Sequence, residues 1–267
     1  MSAPSFVTSA DGTRIAYETA GSGPPVILIG GAFNDRRSRI AGTPMAALMA
    51  DAGFSAITFD RRGRGDSGDT LPYAVEREID DLKALAAAAG GPVALFGHSS
   101  GGALALEAAA AGLPVTAIAV YEPAFSMDDA AEAESVAFTA GLAGLIDAGS
   151  NGDAAAFFME GIGMPAEMVA GMRQGPQWPP LEKLAPTLRY DVAVMRHGGD
   201  SFVPAARIAR IDVPLLAMAG GDSPGWMADA ARAIAAAAPQ GTYRQVDGYG
   251  HNIPAEAVAP ILRNFLG

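Results

Sequence analysis

Short apolar runs alternate along the chain with longer stretches of helical spacing. Ser5–Thr8 and Arg14–Thr19 flank Asp11-Gly12, the dipeptide of a tight hairpin turn. Val26–Ile29, Phe54–Phe59, Val93–Phe96, Val115–Tyr121, Leu215–Ala219 and Thr242–Val246 follow, each closed by a glycine or a charged residue. Runs that are apolar on both faces are what a sheet covered on both sides requires. Between them, Pro44–Ala52, Ala74–Ala89, Ser100–Ala111, Trp226–Ala238 and Ala255–Phe265 read as helices. The alternation predicts an α/β fold: a mostly parallel, doubly wound sheet with right-handed crossovers.

The rhythm breaks over residues 123–212, which contain no convincing strand. Asp128–Ala148, Ala154–Gly161, Pro165–Gln174 and Leu181–His197 read as helices there. A structureless loop of that length is uncommon in a compact domain, so the segment is expected to be a helical insertion. The chain then divides into a core of residues 1–122 and 213–267 and a helical cap, or lid, of residues 123–212. Six methionines fall in the insertion, with Phe157, Phe158, Trp178 and Tyr190. Such side chains suit an adaptable apolar pocket wall, and they suit plain helix packing equally.

The 267 residues are half apolar and 18% charged, which is a globular composition. With no cysteine, thiolate catalysis and Cys-based metal sites are excluded. His98, His197 and His251 are far apart and lack ligand spacing, so no metal is expected. A net charge of −11 argues against nucleic acid or an anionic membrane surface as partner. The first residues show no signal-peptide pattern, and a cytoplasmic location is the expectation. The partners expected are a small-molecule substrate and, at most, a second copy of the chain as a homodimer.

Gly97-His98-Ser99-Ser100-Gly101 follows an apolar strand and opens a helix, the setting that a G-x-S-x-G turn needs. Such a turn lifts the serine hydroxyl above the sheet edge. It also places the Ser100 N–H at a helix N-terminus, where it can hold an oxyanion. The same pattern recurs at Gly221-Asp222-Ser223-Pro224-Gly225. There the residue after the serine is Pro224, which has no N–H to donate. Ser99 is therefore the expected nucleophile. His98 should point away from Ser99 and line the pocket. His251, after the last strand and preceded by Gly248-Tyr249-Gly250, is the expected base. Two carboxylates could complete the set. Glu122 follows the strand ending at Tyr121, and Asp222 follows the one ending at Ala219.

Elbow, late histidine and strand order together resemble the α/β-hydrolase superfamily, over Arg14–Ala124 and Val213–Phe265. The resemblance implies a serine hydrolase with an inserted cap and no cofactor. It implies an acid after either strand, usually at Gly-x-x-Asp. Counted from Gly220 that spot is Ser223, so Asp222 is one residue early. Tyr121-Glu122-Pro123 is similar to the acid segment of zearalenone-type lactonases, which favours Glu122. The family's His-Gly after the third strand is Gly30-Gly31 in this chain, so Ala32 is the implied second oxyanion donor, with Phe33 and Trp178 lining the pocket.

Arg36, Arg37 and Arg39 follow one strand, and Arg61, Arg62 and Arg64 the next. They are expected on a solvated rim, paired with Asp35, Asp60, Asp66 and Asp69, with a substrate carboxylate as the alternative partner. The expected reaction is cleavage of a small carboxylic ester or lactone through an acyl-enzyme at Ser99. A non-hydrolytic member is the alternative: a perhydrolase (Phe59-Asp60-Arg61-Arg62-Gly63 resembles the haloperoxidase-like group), a lyase or a cyclase. A slow-turnover ligand-binding member is a further one.

Overall fold

The computed structural model describes residues 4–267. Eight strands form one sheet: β1 (Ser5–Thr8), β2 (Arg14–Ala20), β3 (Pro25–Ile29), β4 (Ser55–Phe59), β5 (Val93–His98), β6 (Val115–Tyr121), β7 (Leu215–Gly220) and β8 (Gly241–Val246). Their spatial order is β1-β2-β4-β3-β5-β6-β7-β8. Only the β1–β2 and β2–β4 pairings are antiparallel; all others are parallel. The chain winds outward from β3 to β4, then crosses back to β5 and proceeds in the other direction. The switch in winding lies between β3 and β5, and a crevice opens at such a point at the strands' carboxyl ends.

Two helical layers cover the sheet. α1 (Thr43–Asp51) and α11 (Ala255–Leu266) pack on one face against Val26, Leu28, Phe96, Tyr121 and Met218. α2 (Val75–Ala88), α3 (Ser100–Ala110) and α10 (Gly225–Ala237) pack on the other, with Ile27, Ile29, Leu95, Ile118 and Val120. Alternate residues of each central strand thus serve opposite layers, which is why those runs are apolar throughout. α3 is apolar on every side because other elements surround it, and residues 100–108 are all buried.

Between β6 and β7 the chain forms α4 (Asp129–Asp147), α5 (Asn151–Gly161), α6 (Ala166–Arg173), α7 (Trp178–Leu184), α8 (Leu188–Met195) and the short α9 (Ala205–Ile208). Asp128 caps α4 by accepting from the Ala131 N–H, so the expected first residue of that helix is its cap, one residue before the helix begins. Most of these helices surround their own apolar cluster of Leu142, Phe158, Met159, Val169, Trp178 and Leu188. Pro179, Pro180 and Pro186 fall between Trp178 and Leu188. There a short 3₁₀ turn over Ala185–Thr187 separates α7 from α8, where one helix over Leu181–His197 was expected. Proline lacks an N–H and disfavours helical backbone in the residue before it.

Candidate active site

Ser99 closes β5 with φ +55° and ψ −129°, a backbone conformation that costs a non-glycine residue about 1–3 kcal/mol. Its neighbours make the turn fit. A Cβ on Gly97 would sit 2.4 Å from the Gly101 carbonyl oxygen, and one on Gly101 would sit 2.3 Å from that of Ile29. Only glycine allows β5 and α3 to approach the β3 loop this closely. Among the described residues, three non-glycine positions have left-handed backbone: Phe33, Ser99 and Glu122. They stand just past or at the carboxyl ends of β3, β5 and β6, so the strain collects on one edge of the sheet.

Glu122 is fully buried, and its amide continues the ladder to the Met218 carbonyl. One carboxylate oxygen accepts from the Gly220 N–H at 2.7 Å, and the other faces His251 Nδ1 at 2.8 Å. An ionised carboxylate only accepts, so the proton lies on Nδ1 and Nε2 is left as an acceptor. Burial pushes the Glu122 carboxyl up. The bonds to His251 and the Gly220 amide, with the Ser223 hydroxyl nearby, outweigh burial and hold it below the usual carboxylate range. Asp222 is exposed and makes no side-chain bond to His251. The geometry thus joins His251 to the Glu122 of the two carboxylates that the sequence left open.

The histidine loop is held from two strand ends. Tyr121 Oη donates to the Gly250 carbonyl at 2.8 Å, and His98 Nε2 to the His251 carbonyl at 3.0 Å. His98 was expected to line the pocket. It is instead 5% exposed, its ring 4.8 Å from that of His251, and its Nδ1 has no partner among the described residues. Burial, helped by His251, pushes it down to about 3, so it stays neutral.

Gly31 abuts the nucleophile: a Cβ there would lie 2.8 Å from Ser99 Cβ and 3.3 Å from Ser99 Oγ. Among the described residues, neither the Ala32 amide nor the Ser100 amide has an acceptor, which leaves both N–H groups free. No hydrogen bond joins Ser99 Oγ to His251 Nε2 here; such contacts commonly tighten only when substrate is bound.

Phe33 packs edge-on against Phe158 of α5, with ring centroids 5.5 Å apart, and so ties the β3 loop to the helical segment. Trp178 is 6% exposed inside that segment's own cluster, with Arg173 over its ring. Trp178 is thus packed inside the helical segment and not along a pocket as expected, whereas Phe33 stays half-buried.

The expected solvated rim holds for Arg37 and Arg39, which are exposed, and is corrected for the other four arginines. Arg36, Arg61, Arg62 and Arg64 are buried. Arg36 pairs with Glu18, Asp60 and Asp66; Arg62 pairs with Asp11 and Asp81. Arg61 makes a two-point contact with Glu78, and both Arg61 and Arg64 reach Asp191 of α8 at 2.6 Å. Asp69 accepts from Tyr190 instead of an arginine. These four ions are desolvated and matched by carboxylates, so none of them is free for a substrate acid. Asp191 escaped sequence reasoning because nothing local marks a helical aspartate whose partners are over 90 residues away. His197 bridges Glu107 and Glu76.

Among the described residues no cluster of three or more His, Cys, Asp or Glu side chains is arranged to hold a metal, and no helix is long and apolar enough to cross a membrane.

A serine on a strained strand-to-helix turn, a late histidine and a buried carboxylate on this sheet define a class, and sequence comparison agrees with it. The model of the alpha/beta hydrolase family matches residues 26–261, and the chain belongs to that family. An alpha/beta hydrolase from Sphaerobacter thermophilus is 46% identical, with a TM-score of 0.88 over 98% of this chain and 100% of that one. A putative non-heme bromoperoxidase from Mycobacterium tuberculosis (23% identity, TM-score 0.70, 94% and 95% covered) shares the fold. So does a thermophilic esterase from Thermogutta terrifontis (20%, 0.72, 99% and 98%). No curated protein matches the sequence.

Proposed function

We propose that the protein is a serine hydrolase that cleaves a small-molecule carboxylic ester or lactone through an acyl-enzyme at Ser99. The observation that carries this reading is the bond from His251 to the buried Glu122, on the same sheet edge as a serine in the strained elbow conformation. In the reaction, Ser99 Oγ attacks the carbonyl carbon and its proton passes to His251 Nε2. Glu122 keeps the ring in the tautomer that can accept it. The oxyanion is held by the N–H groups of Ala32 and Ser100, a contribution of about 3–4 kcal/mol per donor. Collapse of the adduct expels the alkoxide, which takes the proton from His251. Water then repeats the sequence on the acyl-enzyme and releases the acid. A lactone differs only in that its alkoxide stays attached. The helices between β6 and β7 act as the cap over this edge, with Phe33 against Phe158 as one point of contact.

Hydrolysis of p-nitrophenyl butyrate tests the reading. The wild type should turn it over, and Ser99→Ala should lose at least about 10³-fold in kcat while remaining folded. Undiminished turnover in Ser99→Ala would end the proposal. Peroxide-dependent halogenation in acetate without ester turnover would move it to the perhydrolase alternative.

A further inference from the structure

A buried charge cluster beside the elbow takes no part in the reaction as written. Asp191 is 2% exposed and stands on α8, in the helical segment. Its Oδ1 accepts from Ser100 Oγ and from Arg61 Nη1, both at 2.6 Å, and its Oδ2 accepts from Arg64 Nη2 at 2.6 Å. Arg64 then reaches on with Nη1 to the carbonyl oxygens of Gly31 at 2.7 Å and Asn34 at 3.2 Å, while its Nε meets Thr187. Arg61 Nη1 lies 3.5 Å from the Gly30 carbonyl and is anchored by Glu78 from behind.

Two of these contacts bear on the oxyanion site. The Gly31 carbonyl belongs to the same planar peptide as the Ala32 N–H. A guanidinium fixed on that oxygen sets the direction of the N–H, and by polarising the peptide it strengthens the donor. Ser100, whose side chain Asp191 grips, carries the other N–H on its own backbone. One carboxylate of the helical segment therefore touches both oxyanion donors at one remove.

We propose that Asp191 and Arg64 are positioning residues of the oxyanion site, so that seating the helical segment on the sheet edge also builds the site. The inference rests on the hydrolase reading and adds to it. Arg61 and Glu78 are the charge-balancing partners: two cations face two carboxylates, and the Tyr73 hydroxyl closes the cluster on Glu78 at 2.8 Å.

The test uses p-nitrophenyl butyrate for turnover, butyrate as a ground-state product inhibitor and phenylboronic acid as a tetrahedral mimic. The boron takes up the Ser99 oxygen as the serine proton leaves to His251, and it becomes an anion in the oxyanion position. In Asp191→Asn, kcat should fall about 100-fold with KM within about threefold, the scale of a misplaced catalytic group. Phenylboronic acid should weaken in proportion, and butyrate should not. Because Asp191→Asn removes a buried charge, two milder variants stand beside it. Ser100→Ala deletes an uncharged side chain and its bond to Asp191 and should lose about tenfold in kcat, as a partial displacement of one donor. Arg64→Lys keeps the charge but cannot span Asp191 and two carbonyls, and should lose at least as much as Ser100→Ala. Folded variants whose kcat and boronate affinity stay within threefold of wild type would overturn the proposal, as would a rise in KM with kcat retained. If Asp191→Asn does not fold, the other two decide. A wild type without ester turnover would instead overturn the hydrolase reading, and that is seen before any variant is made.

Discussion

Glu122 is held by its own strand end, its backbone twisted to φ +47° so that the carboxylate meets both the Gly220 amide and His251. Asp222, on the next strand's loop, stays in solvent. Glu122→Gln should therefore lower kcat by roughly 10³–10⁴-fold, the scale of neutralising the acid of a Ser-His-acid set, while Asp222→Asn should stay within about twofold. The reverse pattern would reassign the acid. A pH effect follows from the same pair. The Glu122 carboxyl lies lower in the folded protein than in the unfolded chain. Its contribution to stability is thus full above the unfolded value of about 4.3 and is lost as pH falls through the folded value. The gap in Tm between wild type and Glu122→Gln, measured by thermal unfolding from pH 7 to pH 3, should narrow below about pH 4. A gap that stays constant would show that the carboxylate is not held by these bonds.

Elements meet at this site with almost no space between them, and glycines decide where. Gly31 and Gly144 make opposite predictions. A Cβ on Gly31 collides with Ser99, so Gly31→Ala should cost about 100-fold or more in kcat/KM through displacement of the hydroxyl or the β3 loop. Gly144 lies exposed inside α4 with nothing within 4 Å of a Cβ. Gly144→Ala should raise stability by about 0.5–1 kcal/mol and leave kcat/KM unchanged, because alanine has less backbone freedom to lose in a helix. Calorimetry and steady-state assays read both. An active Gly31→Ala would contradict the close packing of the β3 loop on the elbow. The local pattern of Gly97-His98-Ser99-Ser100-Gly101 already places the turn in the sequence, because the chemistry and the sterics are both contained within five residues. Gly31 carries no such signal, since its clash partner lies 68 positions away.

At the scale of the whole molecule, the sheet order brings the ends of β3, β5, β6 and β8 together on one edge, and the helical segment is ion-paired to that edge through Asp191. The strands and the helices of the core are legible in the sequence because their burial on two faces imposes continuous apolar runs. Val26–Ile29 and Val93–Phe96 need no partner to be recognised. The fate of the arginines is not legible. Arg61 and Arg64 sit in a charged segment that reads as solvated rim, and only the arrival of Glu78 and Asp191 from two other helices turns it into a buried cluster. The acid is legible only as a choice, because Glu122 and Asp222 both follow strand ends and the deciding partner, His251, comes from the far end of the chain. The central claim is that these distant residues assemble an activated serine. Intact mass after treatment with a fluorophosphonate, followed by peptide mapping, tests it most directly. A single adduct on Ser99 is expected, absent in Ser99→Ala and formed at least about 100-fold more slowly in His251→Asn, where the general base is removed. No adduct on a folded wild-type protein, or an adduct on Ser223 or another residue, would contradict it.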